Sequence, residues 1–167
     1  MYVLSAILSI VLSFESSVQQ SDVKAVLKEL DETIEKQEQY CKPKELRIKN
    51  LVEELQISSG RPNEFNICNQ LFEEYKYYQY DSAYVYARKL ESFAEKSGKR
   101  TDVAIAQAAL LFCYKSVGFF NEALEIIRNF QPEEVPDEFL VNFYVLCAST
   151  YESVFLCRWD KVSGRKI

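Results

Sequence analysis

Histidine is missing from all 167 residues. Its absence removes the commonest general base, the Ser-His and Cys-His nucleophile pairs and most zinc sites. Glycine and proline are scarce, at four each. That suits long helices with few turns and counts against an all-β chain. Basic residues are in deficit, 20 Lys+Arg against 25 Asp+Glu for a net charge of −5, so no basic footprint invites nucleic acid. No C-x-x-C pair occurs among Cys41, Cys68, Cys113, Cys147 and Cys157, and an odd count fits a disulfide framework poorly. Cys68, Cys113 and Cys147 fall within helical apolar patterns and read as small hydrophobes. Cys147 and Cys157 could pair in an oxidising compartment. There is no Gly-rich phosphate loop and no metal-ligand cluster. Glu73-Glu74 and Glu133-Glu134 are adjacent carboxylates that point about 100° apart on a helix, so they read as surface charge rather than a catalytic pair. No catalytic residue, metal or cofactor is expected.

What the chain does have is apolar content, 48% of residues, enough for a packed core. Residues 1–14 (MYVLSAILSIVLSF) form an uncharged apolar run, too short for a comfortable membrane span and the right length for the core of a secretory signal. No Lys or Arg precedes it and no clean A-x-A site follows. Residues 1–20 therefore read as a signal peptide and the protein as exported, periplasmic or membrane-associated; a cytoplasmic protein with a buried or membrane-lying first helix is the alternative.

Beyond Ser21-Asp22, a candidate helix cap, Val23, Val26, Leu27, Leu30 and Ile34 recur at helical spacing between charged residues. Pro43 predicts a kink or break near Cys41-Lys42. Leu46, Leu51, Val52 and Leu55 continue the stripe, with Ile48 off its centre. Residues 21–57 thus form an amphipathic kinked helical segment, ended by the linker Ser58-Ser59-Gly60-Arg61-Pro62-Asn63. The next helices are read over 65–78, from Tyr80-Asp81-Ser82 to Lys96, over 103–117 after a Thr101-Asp102 cap, and over 121–130. A last helix opens at Pro136-Asp137 with Phe139, Phe143, Leu146, Cys147 and Tyr151 on its core stripe. Residues 158–167 read as a polar tail.

Two hairpins share a pattern within 63–157. In the second, Leu110, Leu111, Tyr114, Gly118, Phe120, Ala123, Ile127 and Phe130 precede Pro132. Large apolar residues sit where two antiparallel helices face each other, Gly118 where they turn, and small Ala123 where they approach most closely. The first hairpin has Leu71, Tyr75, Tyr80, Ala83, Ala87 and Leu90 and lacks the turn glycine. The second set resembles the tetratricopeptide repeat (TPR), although Gln107 stands where an aromatic is usual. Ala83 and Ala123 are 40 residues apart, against about 34 for an ideal repeat. The expected fold is all-α, a kinked N-terminal helix followed by antiparallel TPR-like hairpins of α-solenoid type, the last one incomplete.

A longer resemblance covers roughly residues 22–157. The string Leu30-Asp31-Glu32-Thr33-Ile34-Glu35-Lys36-Gln37-Glu38-Gln39-Tyr40, the string Lys44-Glu45-Leu46-Arg47-Ile48-Lys49-Asn50-Leu51, and the segments at 71–76 and 80–87 resemble the start of a family of exported Bacteroidetes regulators. That resemblance implies a signal peptide, a kinked helix and a TPR-like sensory region. In the family a membrane helix, a coiled coil and a transcription-regulating domain follow; here they do not. The expectation is a fragment or truncated product, with any membrane association through a missing C-terminal part or an uncleaved N-terminus.

The first helix of each hairpin lines the concave face of such an array. By that register Phe72, Tyr75 and Lys76, with Phe112, Lys115 and Ser116, are the candidate partner-binding residues, the lysines meeting a carboxylate and the rings packing on side chains. The expected partner is a protein or peptide. The dense tyrosines from Tyr75 to Tyr86 read as amphipathic filler rather than a base-stacking platform. A self-assembling scaffold, with 22–56 as its oligomerisation face, is the second reading.

Overall fold

The computed structural model describes residues 23–58, 63–133 and 135–163, with side chains described as far as Arg158. The apolar run at 1–14, the Ser21-Asp22 cap and most of the linker lie outside the described residues. Seven helices run through them, with no strand among the described residues: α1 (residues 23–35), α2 (Gln37–Ile57), α3 (Glu64–Tyr75), α4 (Tyr80–Ser97), α5 (Arg100–Val117), α6 (Phe120–Asn129) and α7 (Asp137–Ser163). The expected all-α architecture is what the chain adopts. The described residues divide into two units, one up to Arg47 and one from Ile48 onward.

In the first unit, α1 carries its apolar residues on one stripe, and Val23, Val26, Leu27, Leu30 and Ile34 are each more than half exposed. Lys28–Glu32 and Lys42–Glu38 pair one helical turn apart at 3.7 and 3.0 Å, exposed contacts worth about 0.3–0.5 kcal/mol each. The helix interruption expected at Cys41-Lys42 falls instead at Lys36, the one non-helical position between α1 and α2. α2 runs through Pro43. Proline removes one backbone donor, and strong helix formers on either side carry the helix across.

The second unit starts within α2. Ile48 is buried against Ile67 and Leu71, with Leu51, Val52 and Leu55 around it. Residues 48, 51, 52 and 55 share one helical face. This corrects the expected stripe: Ile48 is at its centre, and Leu46, about 200° away, is exposed.

α3 and α4 form the first hairpin, α5 and α6 the second, and α7 packs on both α5 and α6. Alanines make the close approaches: Ala83 and Ala87 on α4 and Ala123 on α6 have no exposed surface. The helix α5 is shared. Leu110 joins the cluster of α3 and α4, whereas Leu111 joins Ala123, Phe143 and Cys147. Two leucines 100° apart thereby hold hairpin one on one side and α6 with α7 on the other.

Turn chemistry differs between the hairpins. Gly118 is left-handed at φ 79°, its amide on Lys115 and that of Phe119 on Tyr114, a Schellman closure. A Cβ at Gly118 would meet only the Phe120 ring at 3.9 Å, so glycine is needed for its backbone freedom rather than for space. Hairpin one turns without a glycine: the amides of Tyr78 and Gln79 both bond the Tyr75 carbonyl. The expected caps are also corrected. Helices α4 and α5 begin at Tyr80 and Arg100, without a side-chain capping bond, so Asp81, Ser82, Thr101 and Asp102 lie inside the first turn. The Asp102 carboxylate instead accepts from the Ser97 hydroxyl at 2.8 Å, across the connection.

α7 departs most from expectation. It spans 27 residues to Ser163, so helix replaces the expected polar tail over 158–163. Its inner face carries Phe143, Cys147 and Thr150; Tyr151, expected in the core, is half exposed. Asp137–Arg158 is long and apolar enough to cross a membrane by length and composition, yet part of it is a packed repeat helix. Cys147 and Cys157 lie ten residues apart on this one helix, about 15 Å, whereas a disulfide needs Cα atoms within about 7 Å. Within one chain they do not pair, and all five cysteines are free.

Candidate protein-interaction groove

The alternation of helices puts α3, α5 and α7 side by side on one surface. Between them lies a groove of about 760 Å³. Its floor is aromatic. Phe112 meets Phe72 edge-to-face at 6.1 Å and Tyr77 at 5.2 Å. On the α7 side Phe143 stacks on Phe139 at 6.3 Å and on Phe130 at 3.8 Å. Asn69, Asn142 and Ser149 supply polar groups on the walls.

One acid and two lysines line the groove, in a chain whose net charge is −5. The lysines differ. Lys76 is an ion-pair partner of Glu73, one turn back, and lies 5.3 Å from the centre of the Tyr77 ring. Lys115 donates to the Ser149 hydroxyl at 2.8 Å, which in turn donates to the Leu146 carbonyl at 2.9 Å. That chain ties α5 to α7. Among the described residues Lys115 has no acidic partner, and a part-buried ammonium held only by a hydroxyl keeps donors for an anion.

Four of the six residues singled out from sequence, Phe72, Lys76, Phe112 and Lys115, line this groove. Two do not. Tyr75 faces away and stacks on Tyr86 at 5.6 Å, where burial pushes the Tyr86 hydroxyl's pKa above its usual value. It sits 100° round the helix from Lys76, on the side that meets the core. Ser116 is exposed and returns its hydroxyl to the Phe112 carbonyl at 2.7 Å. The whole α7 wall was missed, as was Tyr77. The signal for α7 was available: Phe139, Asn142, Phe143 and Leu146 repeat the helical spacing of the other first helices.

No described group of acids, cysteines or histidines could hold a metal. Burial pushes the thiols of Cys68 and Cys113 up to about 11, and neither lines the groove. No curated protein and no solved structure matches the chain. A family model does, described as the SusR N-terminal TPR domain, over residues 34–161. TPR-type domains serve protein–protein interaction and are generally non-catalytic. Paired helices turned at Gly118, alanines at their closest approach and a groove lined by alternate helices agree with that match: the chain belongs to the SusR N-terminal TPR domain family.

Proposed function

We propose that this chain is a non-catalytic module that holds an extended protein or peptide segment in the groove between α3, α5 and α7, with an acidic group of the partner on Lys115. The observation that carries this reading is the part-buried Lys115 ammonium, without a carboxylate among the described residues, beside Phe72, Phe112 and Phe143. The rings supply apolar contact and the cation supplies register. Larger context comes from the family match and the apolar run at 1–14: the module is the extracytoplasmic sensory part of a membrane-bound transcriptional regulator, reached by export.

The test begins with selection of peptides from a random displayed library on the immobilised chain. Acidic peptides with an adjacent apolar residue should be enriched. Lys115→Gln should weaken the selected peptide by about tenfold, the scale of one charge-assisted bond, read by fluorescence anisotropy. Tyr75→Phe, outside the groove, should leave binding unchanged. Peptides that bind Lys115→Gln and the wild type equally would remove the groove from the proposal.

A second reading, self-assembly through residues 22–56, is favoured by the exposed stripe on α1. It requires that Leu27→Asp with Leu30→Asp abolish self-association measured by analytical ultracentrifugation.

A further inference from the structure

We infer that the groove between α3, α5 and α7 has a direction: it takes an extended segment with an acidic side chain at its lysine end and the backbone N–H of a residue about three positions away on Asn142. This deepens the proposed peptide binding and rests on it. The hairpins set α3, α5 and α7 parallel, and two contacts give their register: Phe72 meets Phe112 at 6.1 Å, and Lys115 donates to Ser149 at 2.8 Å. In that register the groove residues fall into levels. Lys76, Lys115 and Ser149 share one end, and the Phe72 and Phe112 rings form the middle. Asn69, Ala108 and Asn142 share the other end, each seven residues before its counterpart at the first. Seven residues are close to two full helical turns, so each pair lies on one face of its helix.

The two ends offer opposite hydrogen bonding. At the lysine end the Ser149 hydroxyl spends its single proton on the Leu146 carbonyl at 2.9 Å, so toward Lys115 it can only accept. The remaining ammonium protons are left for an anion. At the other end the Asn142 side-chain nitrogen donates to the Glu138 carbonyl, one turn back, at 3.3 Å. That bond sets which way the side-chain amide faces and leaves its oxygen as an acceptor. A backbone N–H is the donor that every residue except proline brings, so this end reads the chain and not a particular side chain. The separation gives the spacing. Two helical turns are about 10.5 Å, and an extended chain advances about 3.3 Å per residue, so three residues reach from one end to the other. A helical ligand fits less well, because its N–H groups are already engaged along its own axis.

The test uses the full chain. The probe is a short acidic peptide selected from the displayed library and blocked at both termini, so that its negative charge is the side chain's alone. Each backbone N–H is methylated in turn, and affinity is read by fluorescence anisotropy on the wild type and on Asn142→Ala. On the wild type the largest loss should fall about three residues from the acid, on one side of it only, and should be about fivefold, the scale of one neutral hydrogen bond. On Asn142→Ala the unmodified peptide should be weakened by a similar factor, and methylation at that position should cost nothing further. Asn142 is exposed, so the substitution leaves the fold intact, which circular dichroism checks. Four results would each overturn the proposal: no loss at any position, losses spread evenly along the peptide as a helical ligand gives, a largest loss next to the acid, or a loss undiminished on Asn142→Ala. The groove reading itself survives all four as long as Lys115→Gln weakens the same peptide. Peptides indifferent to Lys115→Gln would remove that reading, and the direction with it.

Discussion

Leu111→Ala is expected to destabilise the chain by about 2–5 kcal/mol and to lower its Tm by about 5–20 °C. Leu111 has no exposed surface and lies at the junction of α5, α6 and α7, against Ala123, Phe143 and Cys147. Truncation removes its burial and leaves a void that the neighbours fill poorly. Ala123 has too little side chain to move in, and Phe143 is held by its stack on Phe130 at 3.8 Å. Urea denaturation gives the magnitude. Hydrogen exchange gives the location: amides of α6 and α7 should lose protection before those of α3 and α4, because hairpin one keeps its own cluster around Cys68, Leu90 and Leu110. Leu110→Ala should cost a similar amount with the reverse order. If both variants lose protection uniformly, α5 does not divide the core as the two clusters suggest.

That division explains what was legible in the sequence. Repeat folds are built from neighbours, so short patterns are informative. Gly118 and Ala123 announced a turn and a close approach, and Ala83, Ala87 and Leu90 announced the inner face of α4; all lie where the pattern put them. The N-terminal helices were harder, because Leu46 and Ile48 compete for one stripe and only the arrival of Ile67 and Leu71 decides between them. At Pro43 the helix does not break, because a single missing donor in a helix of good formers is tolerated. Capping rules failed at Asp81 and Asp102 because the turns are tight enough for the helices to start before them. At the groove, composition and spacing found the residues on α3 and α5. They could not place Tyr75, since residues 72, 75 and 76 fit either a core or a groove face until α4 brings Tyr86 alongside. They also could not show that Lys76 pairs with Glu73 while Lys115 donates to the Ser149 hydroxyl.

The five free thiols should divide sharply by reactivity. Cys68 and Cys113 have no exposed surface, and burial pushes each from the ordinary 9.0 up to about 11; for Cys68 the Lys89 ammonium opposes the rise and Glu64 adds to it. Burial also raises Cys147. At pH 8 a two-unit rise leaves about a hundredfold less thiolate, the reactive form, before access is considered. Cys157 is exposed and Cys41 half-buried. Labelling the folded chain with an aromatic disulfide reagent, followed by peptide mass spectrometry, should therefore modify Cys157 and Cys41 within minutes. Cys68, Cys113 and Cys147 should react only in urea. The same shifts carry a pH dependence. The fold favours the protonated thiols of Cys68 and Cys113, so their contribution is complete below about pH 9 and is lost as pH rises toward 11. Urea midpoints should fall across that interval, and Cys68→Ala with Cys113→Ala should reduce the fall while lowering stability at pH 7. Equal labelling of all five thiols in the native chain would mean that the helices around Cys68 and Cys113 open far more readily than a packed repeat allows.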